Sequence, residues 1–493
     1  MSFFFRFRWW MGAALTTAFL LYFVLASTVF ASSASSALVQ LSSDPYTNTT
    51  SQHQTEVEPD SFAYGSTIVA VAQVGRFSDG GSSNTGWATS TDNGATWQKG
   101  FLPATTVYAT PAGSYDRLSD PTVIYDAAHQ RWMIASLAIS NAGGTAVGAA
   151  VIVSLSSNGG LTWNAPVTVA SVSFGGFFDK DWIVCDNTSS SPHFGNCYVE
   201  WDLASSNDLV QMSTSSDGGN TWSAAQSTAD SAIGLGGQPL VQPDGTVIVP
   251  FLTTSSGIAS FTSTDGGASW DSSVTISSET DHQVASMRTE PLPSAAIDGS
   301  GKVYVVWQDC RFESGCGAND MVMSTSTDGS TWSAVQLIPT DPVGSGADHF
   351  IPGLGIDPTT SGSSAHLALV YYYFPNASCS ASTCQLEVGF VTSINGGSTW
   401  SAVTTLSSAA MNVSWLASTT DGYMVGDYIA TSFSAGKAYP VFVTASAPTT
   451  SQLNEALTTV QAGLTVEGGT NVATVSPVIS THSHSSKQYP PVK

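Results

Sequence analysis

The residues best suited to chemistry in this chain are few and widely spaced. Outside the first 31 positions it holds five arginines, Arg76, Arg117, Arg131, Arg288 and Arg311. A guanidinium grips a carboxylate or phosphate through two parallel N–H donors, so arginines that converge define an anion site. A second pattern recurs among them: an acidic or glycine residue beside a proline or aromatic, then an apolar run. It appears seven times, at Glu58-Pro59, Asp120-Pro121, Asp179-Lys180-Asp181-Trp182, Gln238-Pro239, Glu290-Pro291, Ile351-Pro352 and Gly426-Asp427-Tyr428.

These residues must be held by elements that repeat with them. The pattern Ser-x-Asp-x-Gly-x-Thr-Trp occurs at Ser90–Trp97, Ser156–Trp163 (Asn158 for Asp), Ser215–Trp222, Ser263–Trp270, a one-residue-shorter Ser326–Trp332, and Ser393–Trp400 (Asn395 for Asp). The Asp or Asn side chain bonds backbone N–H groups of a tight turn. The Gly takes a conformation closed to other residues, and the Trp plugs apolar surface beside the next strand. Each copy predicts a hairpin turn, and six copies against seven strand openings predict an all-β repeat domain.

The repeat resembles the Asp-box, or BNR, repeat of sialidase-type β-propellers. The resemblance implies a β-propeller of four-stranded antiparallel blades. The seven openings favour seven blades, with Ala37 to Leu41 lent to the last blade as its outer strand; six blades is the alternative. In such a fold the boxes lie on one face, and the strand openings and the second-to-third-strand loops lie on the other. Arg76, Arg117, Arg288 and Arg311 map to that second face. The family binds its substrate's carboxylate with three arginines and uses a Tyr nucleophile activated by a Glu, with an Asp as acid/base, a departure from the two-carboxylate scheme of other glycosidases. Carried onto this chain, Arg76, Arg288 and Arg311 form the clamp, Glu290 activates Tyr428, and Asp120 is the acid; Arg117 and Asp427 join the substrate-binding set. The family's Phe/Tyr-Arg-Ile-Pro motif is missing, and Glu58-Pro59 stands in its place. The alternative is structural: Asp309 and Arg311 pair to hold a loop, Arg117 pairs with Asp116 or Asp120, and water, amides or a channel cation satisfy the carboxylates. No cofactor is expected. Ca²⁺ suits such oxygen ligands, but no Asp-x-Asp-x-Asp loop is present.

Composition narrows the setting. A net charge of -23 disfavours nucleic acid and anionic membranes as partners. Arg6 and Arg8 followed by the apolar run Trp9 to Phe30 predict a signal peptide over 1–31, or an uncut membrane anchor. Residues 32–446 are expected to form the propeller and 447–493 a flexible tail. Six cysteines fall as close pairs, predicting disulfides Cys185–Cys197, Cys310–Cys316 and Cys379–Cys384. The expected protein is an extracellular monomer whose partner is a glycan or glycoconjugate. Its expected activity is hydrolysis of terminal acidic sugars, and a non-catalytic glycan- or protein-binding propeller is the alternative.

Overall fold

The computed structural model describes residues 37–142, 145–172 and 176–472. The expected leader and the end of the expected tail lie outside them. The described chain is all-β and antiparallel, with no α-helix and four single-turn 3₁₀ segments.

The strands group into consecutive sheets, each starting from an inner strand. The first runs Glu56–Tyr64, Thr67–Arg76, Ser82–Ser90 and Gln98–Phe101. The second runs Arg117–Asp126, Arg131–Ala142, Thr145–Ser156 and Val167–Ser171, joined to the first only by the pair Ser82 and Leu118. The third holds Phe178–Cys185, Cys197–Leu203 and Leu209–Ser215. The fourth has a broken inner strand, Gly234–Leu235 and Leu240–Val241, then Val247–Thr253, Gly257–Ser263 and Val274–Ser278. The fifth holds Ser294–Ile297, Val303–Asp309, Asp320–Ser326 and Gln336–Leu337. The sixth holds Asp348–Ile356, Leu367–Phe374, Gln385–Ser393 and Thr404–Thr405. The last holds Ala430–Ser434, Lys437–Ala445 and Glu455–Val460, and its outer edge is Leu38–Gln40 from the other end of the chain.

Each inner strand lies beside the inner strand of the next sheet, and Ala430–Ser434 lies beside Glu56–Tyr64. The second strands are β-branched and aromatic on both faces. Val303–Asp309 (VYVVWQD) is buried at every position, as a strand packed between two neighbouring sheets must be.

The repeated turns behave as their sequence predicts. In the first, Ser90 Oγ donates to Asp92 Oδ1 at 2.8 Å and accepts from Gly94 N–H at 2.8 Å, while Thr96 N–H and Oγ donate to the Asp92 carboxylate at 2.9 and 2.6 Å. Asn158 and Asn395 serve because the bond that fixes the turn needs only one side-chain oxygen, which takes Thr162 N–H at 3.0 Å and Thr399 N–H at 2.9 Å. Each turn follows the third strand and delivers its Trp to the seam with a neighbouring sheet. Trp163 packs with Val69 and Trp87 of the first sheet and Ile134 of the second. Trp270 meets Tyr198 and Phe261 edge-on. Trp400 joins Tyr304 and Met323 of the fifth sheet to Leu369 of the sixth. Trp97 closes the seam between Ala70 of the first sheet and Val441 and Leu457 of the last.

The three disulfides form as predicted. Cys185–Cys197 joins the first two strands of the third sheet, and the other two pairs lie in second-to-third-strand loops. One boundary needs correction. The segment expected as a tail contains Glu455–Val460, an interior strand of the last sheet with Leu457 and Val460 fully buried. Its Thr- and Ser-rich neighbours hid a short alternating strand. Deleting 447–493 would therefore remove the strand that holds Leu38–Gln40. The expected result is loss of the cooperative thermal transition in calorimetry, whereas a dispensable tail would leave the melting curve unchanged.

Candidate functional site

The inner strands are irregular at corresponding points. The pairing shifts register between Val57 and Asp60, Ser119 and Thr122, Asp179 and Asp181, and Phe350 and Gly353. At these bulges Glu58, Asp120, Lys180 and Ile351 take positive φ of 54°, 47°, 40° and 52°. Such backbone costs of order 1–3 kcal/mol per residue, and bulges re-aim side chains and gather at functional sites. These are four of the seven openings seen in the sequence. Gly426, at the matching place before the last sheet, has φ 147°, and a Cβ there would lie 2.8 Å from the backbone nitrogen of Glu58. Only glycine lets the two segments approach so closely.

The bulges bring together groups far apart in the chain. Asp427 is buried and accepts from Arg288 Nε at 2.9 Å and Nη2 at 2.6 Å, and from Lys180 Nζ. Lys180 Nζ also stands 3.9 Å from Asp120 Oδ1. One oxygen each of Glu58, Asp120 and Asp427 lies within 4.8 Å of the others. Glu58 accepts from Gln73 Nε2 and, at 3.2 Å, from Asp120 N–H. The protein neutralises this trio with its own lysine and arginine, so it is a charge cluster rather than a metal nest.

Burial and the paired cations split the acids into two states. Asp427 is held well below the ordinary carboxylate range: its burial raises the pKa, and Arg288 and Lys180 beside it more than offset that. Glu58 is pushed up to about 8 by burial, then by Asp120 and Asp427. Asp120 is raised by burial despite Lys180. Asp181, Glu200 and Asp202 are raised well above their usual values, burial first. Adjacent carboxyls forced into different protonation states are the material of acid–base catalysis.

Two hollows flank Asp120. One, with about 390 Å³ of empty space open to solvent, is lined by Glu58, Arg76, Asp120, Asp179 and Arg288. Arg76 is 2% exposed, donates from Nη1 to Gly81 O at 2.9 Å, and leaves Nε without a partner. The other, of about 300 Å³, is lined by Asp120, Lys180, Asp181, Glu200 and Tyr428. Both carboxylate oxygens of Asp181 and of Glu200 are buried there without partners.

Of the residues singled out from sequence, Asp120, Arg76, Arg288 and Asp427 converge, and Glu290 lies close enough for Lys180, Asp427 and Arg288 to act on its charge. The others depart from the catalytic expectation, and Arg311 follows the structural alternative, in which it pairs with Asp309. Arg311 donates to Asp309 at 2.5 Å and to Ser277 Oγ at 3.0 Å, so it holds its own loop. Arg117 pairs with Asp79 at 2.6 Å and with Gly80 O at 2.7 Å, not with Asp116 or Asp120, and lies 4.1 Å over the Phe77 ring. Arg288 is occupied by Asp427, whose own oxygens are thereby filled, so Asp427 positions cations rather than substrate. Tyr428 donates its hydroxyl to Pro121 O at 3.2 Å, and burial and nearby Glu58 and Asp120 push its pKa well above 10. No hydrogen bond joins it to Glu290 among the described residues, so the expected activated tyrosine is not assembled. Glu58 and Lys180 were the residues left out, although their place in the recurring opening was the available signal.

Comparison with known proteins fits this picture in outline. Residues 190–351 match the family described as BNR repeat-like domain, so this third of the chain carries the repeat that the Asp-boxes predict. No curated protein matches the sequence. Among solved structures, a protein of unknown function from Dyadobacter fermentans is 15% identical with TM-score 0.46, covering 73% of this chain and 99% of its own. Trypanosoma rangeli sialidase bound to sialic acid is 14% identical with TM-score 0.45, covering 87% of this chain and 59% of its own. A family 25 polysaccharide lyase, an ulvan lyase, is 11% identical with TM-score 0.49, covering 86% and 96%. No helix among the described residues is long and apolar enough to cross a membrane. The three disulfides suit an oxidising compartment.

The raised acids make stability depend on pH with a definite sign. Glu56 and Asp60 are pushed up to about 7 and Glu58 to about 8, all chiefly by burial. A group raised in the folded state stabilises it fully below its unfolded pKa, and that contribution is lost as pH rises through the folded value. Asp92 and Asp328, lowered to about 2, act oppositely, and their contribution fades only below the ordinary carboxylate range. Stability is thus expected to peak near pH 4 to 5 and to fall toward pH 8, by up to about 1.4 kcal/mol per pH unit for each raised group, and the melting temperature falls with it. Asp60→Asn, which keeps an oxygen for Val123 N–H (2.8 Å in the native chain), flattens that slope. Calorimetry showing a melting temperature that is level or rising from pH 5 to 8 would contradict this assignment.

Proposed function

We propose that the chain is a seven-bladed β-propeller, closed by Leu38–Gln40, secreted through its leader, and acting as a monomeric exo-glycosidase on terminal acidic sugars of glycans. One observation carries the activity: Arg76, with a buried Nε that has no hydrogen-bond partner, and Asp120, with a raised pKa and a buried Oδ1 that faces Lys180 at 3.9 Å without a hydrogen bond, line the same solvent-open cleft. Arg76 receives the sugar's carboxylate. Asp120, whose pKa burial raises, donates its proton to the departing glycosidic oxygen while a water from the open cleft attacks the anomeric carbon, and the proton that water sheds restores Asp120. Asp427, Lys180 and Arg288 hold the cluster rigid and set its charge. No metal or cofactor takes part in this scheme. The attacking group is not Tyr428, whose proton is committed to the Pro121 carbonyl.

A second reading, a propeller that binds acidic glycans or proteins without turning them over, is favoured by the engagement of Arg117, Arg288 and Arg311 with the chain's own carboxylates. Fluorogenic sialosides and uronosides separate the two. For the enzyme, Asp120→Asn lowers kcat by about 10²–10⁴-fold, as loss of a general acid does, and Arg76→Met raises KM. Binding on an acidic-glycan array that Arg76→Met abolishes, with no turnover, selects the second reading. Neither turnover nor binding removes both.

A further inference from the structure

Away from the axial cluster, a second group of ligating side chains meets at the seam of the fifth and sixth sheets. Asp320 opens the third strand of the fifth sheet, His349 lies in the inner strand of the sixth, and Asp341 sits in the loop between these sheets. One oxygen of each aspartate and one ring nitrogen of His349 all fall within 4.8 Å of one another. Asp320 and His349 are each 2% exposed, and Asp320 Oδ2 is buried with no hydrogen-bond partner. The Asp341 side chain is 20% exposed and reaches solvent.

The histidine's tautomer is set by its surroundings. His349 Nδ1 lies 3.0 Å from Asn319 O, and a carbonyl only accepts, so Nδ1 carries the proton. The ring is stacked on Tyr373 and tilted against Tyr371, with centroids 5.8 and 5.4 Å away. In the neutral ring, Nε2 therefore presents a lone pair toward Asp341 Oδ1 at 3.8 Å. That separation is too long for a direct hydrogen bond. It is short enough for an ion about 2.0–2.2 Å from each atom to bridge them. A backbone carbonyl that locks Nδ1–H while Nε2 faces carboxylates is the usual outer support of a metal-binding histidine. Ser345 holds the second oxygen of Asp341. Unlike the axial trio, which Lys180 and Arg288 neutralise, Asp320 and Asp341 pair with no lysine or arginine among the described residues.

We propose that Asp320, Asp341 and His349 bind one divalent transition-metal ion that fastens the loop through Asp341 to the fifth and sixth sheets. An imidazole with two carboxylates suits Zn²⁺ or Co²⁺ better than Ca²⁺ or Mg²⁺, which take oxygen alone. The test uses the full chain stripped with a chelator, with His482 and His484 replaced by alanine so that they cannot bind metal. Zn²⁺ or Co²⁺ alone is titrated by calorimetry and absorption. The expected result is one equivalent bound, a higher melting temperature with Zn²⁺, and affinity at least about tenfold weaker in His349→Ala and Asp320→Asn. Asp341→Asn, the most exposed of the three sites, gives the same weakening where a buried variant fails to fold. Absence of stoichiometric binding, or binding that Asp341→Asn leaves unchanged, overturns the proposal.

Discussion

The charged knot around Asp427 is the constraint on which the rest of the inner surface depends. A buried carboxylate without partners would lose its charge or destabilise the fold by several kcal/mol. Here Arg288 holds it in a two-pronged grip and Lys180 adds a third contact. Lys180 belongs to the inner strand of the third sheet, Arg288 to the approach to the fifth, and Asp427 to the approach to the last. One ion cluster thus ties three parts of the chain across the centre. Removing a single member leaves an uncompensated charge, which costs far more than the intact cluster gains.

Around this centre the geometry follows from two local devices that alternate through the chain. The bulged openings turn Glu58, Asp120 and Lys180 inward at a conformational cost. The Ser-Asp-Gly-Thr-Trp turns, at the far end of the third strands, wedge tryptophans into the seams between sheets and keep those sheets packed. The cost at one end is offset by burial at the other. This division of labour lets polar residues accumulate at the centre without unfolding the domain, and it fixes the spacing of the hollows on either side of Asp120.

Much of this was legible in the sequence, for physical reasons that differ by feature. The turns were legible because every group that makes them lies within eight residues. The disulfides were legible because their partners are 5, 6 and 12 residues apart. The convergence of Asp120, Arg76 and Arg288 followed from their places in the repeat. The local Asp309–Arg311 pair was legible, two residues apart, but charge pairing between distant residues was not. Arg117 finds Asp79, 38 residues back, and Lys180 finds Asp427, 247 residues on, and only the packing of the sheets decides such choices. Glu455–Val460 was missed because a six-residue strand without a repeat turn has little pattern beyond alternation. Tyr428 has the residue type and place of a nucleophile, but its hydroxyl is spent on a neighbouring backbone.

The buried acids around Lys180 hold opposite protonation states at neutral pH, with Asp427 ionised while the Glu58–Asp120 pair keeps a proton. Infrared difference titration of the full chain reads this directly through the carbonyl band of protonated carboxyls. The expected spectrum holds a band at pH 7, one component of which is lost near pH 8 and is missing in Glu58→Gln. A spectrum in which every protonated-carboxyl band is gone by pH 5 would contradict it.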